Sequence, residues 1–139
     1  MKKLIALFVM TSILIIMASV ATAVTPFEFR AYCNDTNRIT YDTNPDHRED
    51  KSINDHQIYV RHWVTGGSSD YTNLFKARNV TDSVNYGSKW CTVGMNIPIQ
   101  SNSIVISKTY TMAGRGNTNH YNYDGVVSLT LHGNFYPDL

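Results

Sequence analysis

Histidines, cysteines and a run of carboxylates are the residues of this chain with the widest chemical reach. A protein zinc site gathers thiolates or imidazoles, and local pairs such as H-x3-H bring two of them onto one metal. His47, His56, His62, His120 and His132 stand in separate segments with no such pair. No metal site and no cofactor is expected. Asp35, Asp42, Asp46, Glu49, Asp50 and Asp55 crowd one polar stretch, and calcium takes about six to eight oxygen ligands. Their spacing matches no EF-hand loop, and Arg38, Arg48 and Lys51 offset the charge. The stretch reads as a solvated loop, with calcium in residues 35–55 left as an open alternative. Nucleophilic hydrolysis has no G-x-S-x-G elbow to rest on, and the serines fall in turns. A triad assembled in space remains the alternative to a non-enzymatic protein.

Two features are assigned as sites. Cys33 and Cys91 are the only cysteines. In an exported chain an even number of thiols predicts a disulfide, here one intramolecular bridge. It would close a loop of about 59 residues, which the loop-entropy argument values at up to ~4 kcal/mol. The second feature is Asn117-Thr118-Asn119-His120-Tyr121-Asn122-Tyr123-Asp124, where planar rings alternate with amides and a carboxylate. His120, Tyr121, Tyr123 and Asp124 form a candidate binding loop, since tyrosine gives contact area at low entropic cost. The plainer alternative is a Tyr/Asn-rich hairpin loop.

The elements that must position these residues begin after an export signal. Lys2 and Lys3 precede an apolar run from Leu4 to Met17, and Ala21-Thr22-Ala23 supplies an A-x-A cleavage site. Residues 1–23 are expected to be removed, so the membrane is met only through this segment before cleavage. Residues 24–139 then make one secreted domain. Loss of Lys2 and Lys3 leaves ten basic against eleven acidic residues, a net charge of about −1. No basic cluster appears along the sequence, and nucleic acid is not expected as a partner.

Several segments alternate with the period of a strand. Phe27, Phe29, Ala31 and Cys33 share one face, and Asn34 to His56 follows as a surface loop or a pair of short irregular strands. Gln57 to Val64 is the clearest strand, with Ile58, Val60, His62 and Val64 on one side. Tyr71, Leu74, Phe75 and Arg78 fit one face of a short helix, and the segment equally fits a short strand near Leu74 to Val80. Trp90 to Ile97 reads as a strand with Cys91, Val93, Met95 and Ile97 on one side, ended by Pro98. Ile104 to Met112 reads as another, broken by Ala113-Gly114-Arg115-Gly116-Asn117. Val127, Leu129, Leu131, Gly133 and Phe135 form the last inward face. About six short strands with frequent turns predict an all-β fold, a small antiparallel sandwich or barrel.

The closing segment Gly133-Asn134-Phe135-Tyr136-Pro137-Asp138, after a Tyr/Asn-rich stretch, resembles the C-terminus of a family of small exported proteins from Gram-positive bacteria. The similarity covers about residues 70–139, and Lys76-Ala77-Arg78 before a polar turn is compatible with it. Cys33 and Cys91 lie outside the family's pattern. The resemblance implies secretion and a bacteriocin-like β-sandwich, and no activity. The expectation is a secreted non-enzymatic protein acting through its surface, as a bacteriocin-like factor or a binder of a cell-envelope component. Its partner is an extracellular protein, a glycan or an envelope target.

Overall fold

A computed structural model describes residues 23–139; the expected export segment, up to residue 22, lies outside the described residues. Over the described residues, alternation of apolar and polar side chains is converted into nine strands and one short helix. The strands are β1 (Thr25–Tyr32), β2 (Thr40–Tyr41), β3 (Glu49–Asp50), β4 (Gln57–Thr65), β5 (Asn73–Asn79), β6 (Val84–Cys91), β7 (Ile97–Gln100), β8 (Thr109–Arg115) and β9 (Ser128–Tyr136), and the helix is α1 (Thr118–Asp124).

The strands form two antiparallel sheets. The front sheet runs β1-β9-β4-β7 and the back sheet β2-β8-β5-β6, with β3 also paired to β8. The fold is a β-sandwich. Strand β1 is zipped to β9 along its whole length, from Thr25 opposite Phe135 to Tyr32 opposite Ser128. Inward residues close the space between the sheets. Phe27, Phe29, Ile58, Val60, Leu131 and Phe135 of the front sheet face Phe75, Ala77, Tyr110 and Met112 of the back sheet. Phe75 lies among the aromatic rings, edge-on to Phe27 at 5.6 Å and to Phe29 at 6.2 Å, in the arrangement favoured by the ring quadrupole.

Within residues 71–80 the chain is a strand, Asn73–Asn79, buried at Leu74, Phe75 and Ala77, and no helix. The expected strand from Trp90 to Ile97 is broken in the middle. Gly94 turns with φ +79° and donates its N–H to the His62 carbonyl, so Met95 lands in solvent despite its place in the alternation. Pro98 lies inside β7, an edge strand, where a missing N–H costs no ladder bond. The expected strand from Ile104 starts only at Thr109, because Ser107 turns the chain with φ +63°. The Tyr110 hydroxyl bonds both the N–H and the carbonyl of Val105, clasping that turn. Strand β8 then runs on through Ala113, Gly114 and Arg115 instead of stopping there. Strand β6, from Val84, shows no alternation in the sequence, being an edge strand fully buried only at Cys91.

The expected bridge is not formed: Cys33 and Cys91 are free, buried thiols. Cys91 ends β6 opposite Asn73, whereas the Cys33 sulfur packs onto Gly116, just past β8 on the other side of β5. The Cys33 sulfur thus packs beside the β8 end of the back sheet and Cys91 lies across β5 from it, two strand spacings or about 10 Å from Gly116. A Cβ on Gly116 would come within 2.3 Å of the Cys33 sulfur, so the absent side chain makes room for the thiol.

Candidate functional site

The segment assigned as a binding loop folds as α1. Asn117 caps it, its side chain accepting from the Asn119 N–H at 3.0 Å, and Gly125 ends it in the left-handed conformation. One turn of helix divides the four candidate residues. His120 points into the protein and is fully buried, edge-on to Tyr71 at 4.8 Å and close to Gly67. Tyr121 and Tyr123 stand in solvent, 46% and 77% exposed. Asp124 faces the Tyr71 phenol, which partial desolvation and the charges of Asp124 and Asp70 raise above its ordinary pKa.

Beneath α1 runs a buried polar chain that the alternation pattern does not disclose. The Asn117 N–H donates to Asn73 Oδ1 at 3.3 Å, and Asn73 Nδ2 donates to His62 Nε2 at 3.2 Å. Accepting at Nε2 leaves the His62 proton on Nδ1. That nitrogen and both ring nitrogens of His120 have no hydrogen-bond partner among the described residues. Burial pushes His62 down to about 4, helped by His132, and burial lowers His120 against the pull of Asp124. These imidazoles are neutral core groups at pH 7. Burial likewise pushes the Cys33 thiol up to about 11, against nearby Arg115, and Cys91 to about 12, against Lys89.

The acidic stretch is used locally. Asp42 accepts from the Glu28 and Asn44 N–H groups and meets His47 Nδ1 at 2.7 Å. Lys51 is buried with Nζ 2.6 Å from Asp55 and 3.5 Å from Asp138, and it donates to the Pro137 carbonyl. Asp138 also accepts from the N–H groups of Ser52 and Ile53 and from the Ser52 hydroxyl. Burial raises both carboxyls, but Lys51 and the added donors outweigh it and hold them below the usual range. Three or more acidic, histidine or cysteine side chains converge nowhere as a cation cage among the described residues.

An open polar groove of about 500 Å³ lies beside this pin, lined by Asp55, His56, Gln100, Ser101 and Asn102. His56 is held at φ +57° with Nδ1 2.9 Å from the Ile104 carbonyl. The carbonyl can only accept, so in the neutral ring it is Nδ1 that carries the proton. Asp55 is committed to Lys51 and Gln57, leaving a backbone carbonyl to orient the ring.

The outer sheet faces carry the largest exposed rings. Trp63 on the front sheet and Trp90 on the back sheet are 39% and 43% exposed. Each has a guanidinium over it, Arg61 at 5.3 Å and Arg115 at 4.9 Å. Tyr32 carries Arg38 at 3.4 Å and Tyr41 carries Arg78 at 4.4 Å. Around Trp63 the front face is a hydrogen-bonded polar surface, with His132 Nε2 at 3.1 Å from the Thr65 hydroxyl and Arg30 Nε donating to Ser128 at 2.8 Å. The period-two pattern already puts Trp63 on the outward side of β4. The Arg61–Trp63 pair, two residues apart on β4, is visible along the chain, whereas the pairing of Trp90 with Arg115 and of Tyr41 with Arg78 joins different strands and needs the register.

The architecture and these faces define a small β-sandwich with aromatic and cationic outer surfaces. No protein-family model, no curated protein and no solved structure matches the chain. The functional reading therefore rests on the geometry.

Proposed function

We propose that this chain is a secreted, non-enzymatic protein that acts through its sheet surfaces, as a binder of a cell-envelope component. The observation that supports this most is that both tryptophans stand outside the core under stacked arginines. Tryptophan normally contributes its large apolar area to the interior. Exposed Trp, Tyr and Arg together are the residue types that dominate binding energy at protein surfaces. A bacteriocin-like action would use the same surfaces against the envelope of a competitor.

Cosedimentation of the purified protein with insoluble envelope preparations tests the reading. The protein should pellet with them, and Trp63→Ala or Trp90→Ala should release it, identifying the working face. Protein that stays in the supernatant with every preparation would refute it. One observation favours a second reading, a small hydrolase: His56 combines a fixed tautomer with strained backbone in an open groove. Soluble fragments released from the envelope by the native protein, and not by His56→Ala, would replace the binding reading.

A further inference from the structure

The back sheet gathers cations that are dispersed along the sequence. Lys76 and Arg78 are two residues apart on β5 and point away from the core, since Phe75 and Ala77 between and beside them are buried inward. Arg115 comes from β8, where it pairs with Leu74, itself opposite Trp90. Its guanidinium crosses Leu74 to reach the Trp90 ring, while that of Arg78 lies over Tyr41. Among the described residues none of the three cations has a carboxylate within 4.0 Å. The carboxylates at the turn end of this face are already engaged, Asp50 by the Thr109 hydroxyl and Asp82 by Lys108.

Two further polar groups lie among them. The Thr111 hydroxyl, opposite Arg78, and Arg115 Nε are buried and have no partner among the described residues. A ring beneath a guanidinium occupies its flat face and leaves the in-plane N–H donors pointing outward, where they take carboxylates in a fork. Nη1 of Arg78 is bonded to Ser83 and Asn85, and Nη1 of Arg115 to Gly116; no hydrogen bond engages either Nη2 among the described residues.

We propose that the outer face of the back sheet binds an acidic polysaccharide, its carboxylates taken by Lys76, Arg78 and Arg115. Charges two residues apart on a strand are spaced about 7 Å, so the three cations offer separate contacts to a chain that carries repeated carboxylates. A nucleic acid is more densely charged and recognised by base stacking on free rings. Here the rings carry arginines, which leaves no free ring face for a base to stack on.

The inference rests on the surface-binding reading and names the ligand class for one of its two faces. Trp90 fluorescence under titration with a galacturonate oligomer tests it, with a neutral glucan of equal length and an oligothymidine as the other arms. The galacturonate should bind and weaken with added salt, and Arg78→Gln or Arg115→Gln should reduce affinity roughly tenfold. Lys76→Glu replaces a half-exposed cation that makes no side-chain hydrogen bond among the described residues, so it tests the same face should an arginine variant misfold. Equal binding of the glucan, tighter binding of the oligothymidine, no binding at all, or unchanged affinity in folded variants would each overturn the proposal. Protein that pellets with envelope but ignores salt and Lys76→Glu sinks this inference alone. Protein that never pellets sinks the surface-binding reading itself.

Discussion

His62 and His120 place two imidazoles in the core, and three of their four ring nitrogens have no partner among the described residues. An uncharged ring tolerates that better than an imidazolium does. Unfolded, His62 takes its proton near 6.5; folded, it resists until about 4. Between those values the unfolded state binds more protons, so acid favours unfolding. Stability is complete above pH 6.5 and is lost as pH falls toward 4, by as much as about 3 kcal/mol from His62. His120 adds in the same direction. The lowered carboxyls of Asp55 and Asp138 act in a separate window, since their stabilisation is lost only as pH falls below the ordinary carboxylate value of 3.8. Thermal melts at pH 7 and pH 4.5 should show the fall, and His62→Gln should flatten it. A melting temperature unchanged over that interval would contradict neutral, buried rings. The thiols give a second check. With both pKa values pushed up and both sulfurs buried, Cys33 and Cys91 should resist alkylation in the native protein and react fully in denaturant. Full protection in denaturant without reductant would reveal a bridge.

At the scale of elements, the Lys51 pin joins the loop before β4 to the tail after β9. Lys51→Ala leaves Asp55 and Asp138 without their buried cation and should cost about 3 kcal/mol in urea denaturation. A loss below about 1 kcal/mol would mean that water already shares the charge. Strands with a buried face were legible in the sequence for a plain reason. In β1, β4 and β9 the inward residues are apolar or buried at every second position, so Phe27-Phe29-Ala31 and Leu129-Leu131 announce their side. Strand β6 was not legible, because an edge strand meets no core over most of its length and keeps no alternation. The Cys91-Val93-Met95-Ile97 alternation misled because Gly94 folds the chain back and resets the phase. For the candidate site, the residue types of residues 117–124 were visible but their directions were not. The side-chain cap at Asn117 and the cap at Gly125 turn a polar loop into a helix, and one helical turn sends His120 inward while Tyr121 and Tyr123 stay outside. The back-face cations were hidden for a different reason: Arg115 is a long way from Lys76 in sequence and becomes its neighbour only through the β5–β8 register.

For the whole molecule, the front sheet depends on a partnership between the two ends of the described chain, with β9 between β1 and β4. Strand β1 has no other ladder partner in that sheet, so it stays unpaired until β9 arrives about 100 residues later. Joining strands so distant in sequence carries a loop-closure cost before any contact repays it, and folding is slow for such topologies. The same pairing sets Thr25 opposite Phe135, which brings the beginning and the end of the fold side by side. Joining them through a short glycine-serine linker and opening the exposed turn at residues 34–37 would make β9 and β1 a local hairpin. Such a circular permutant should keep the native stability to within about 1 kcal/mol and refold severalfold faster in stopped-flow mixing. Refolding no faster than the parent would show that closure of the terminal pair does not limit the rate. As the chain is synthesised, every residue between β1 and β9 must be made before the front sheet can shut along that seam.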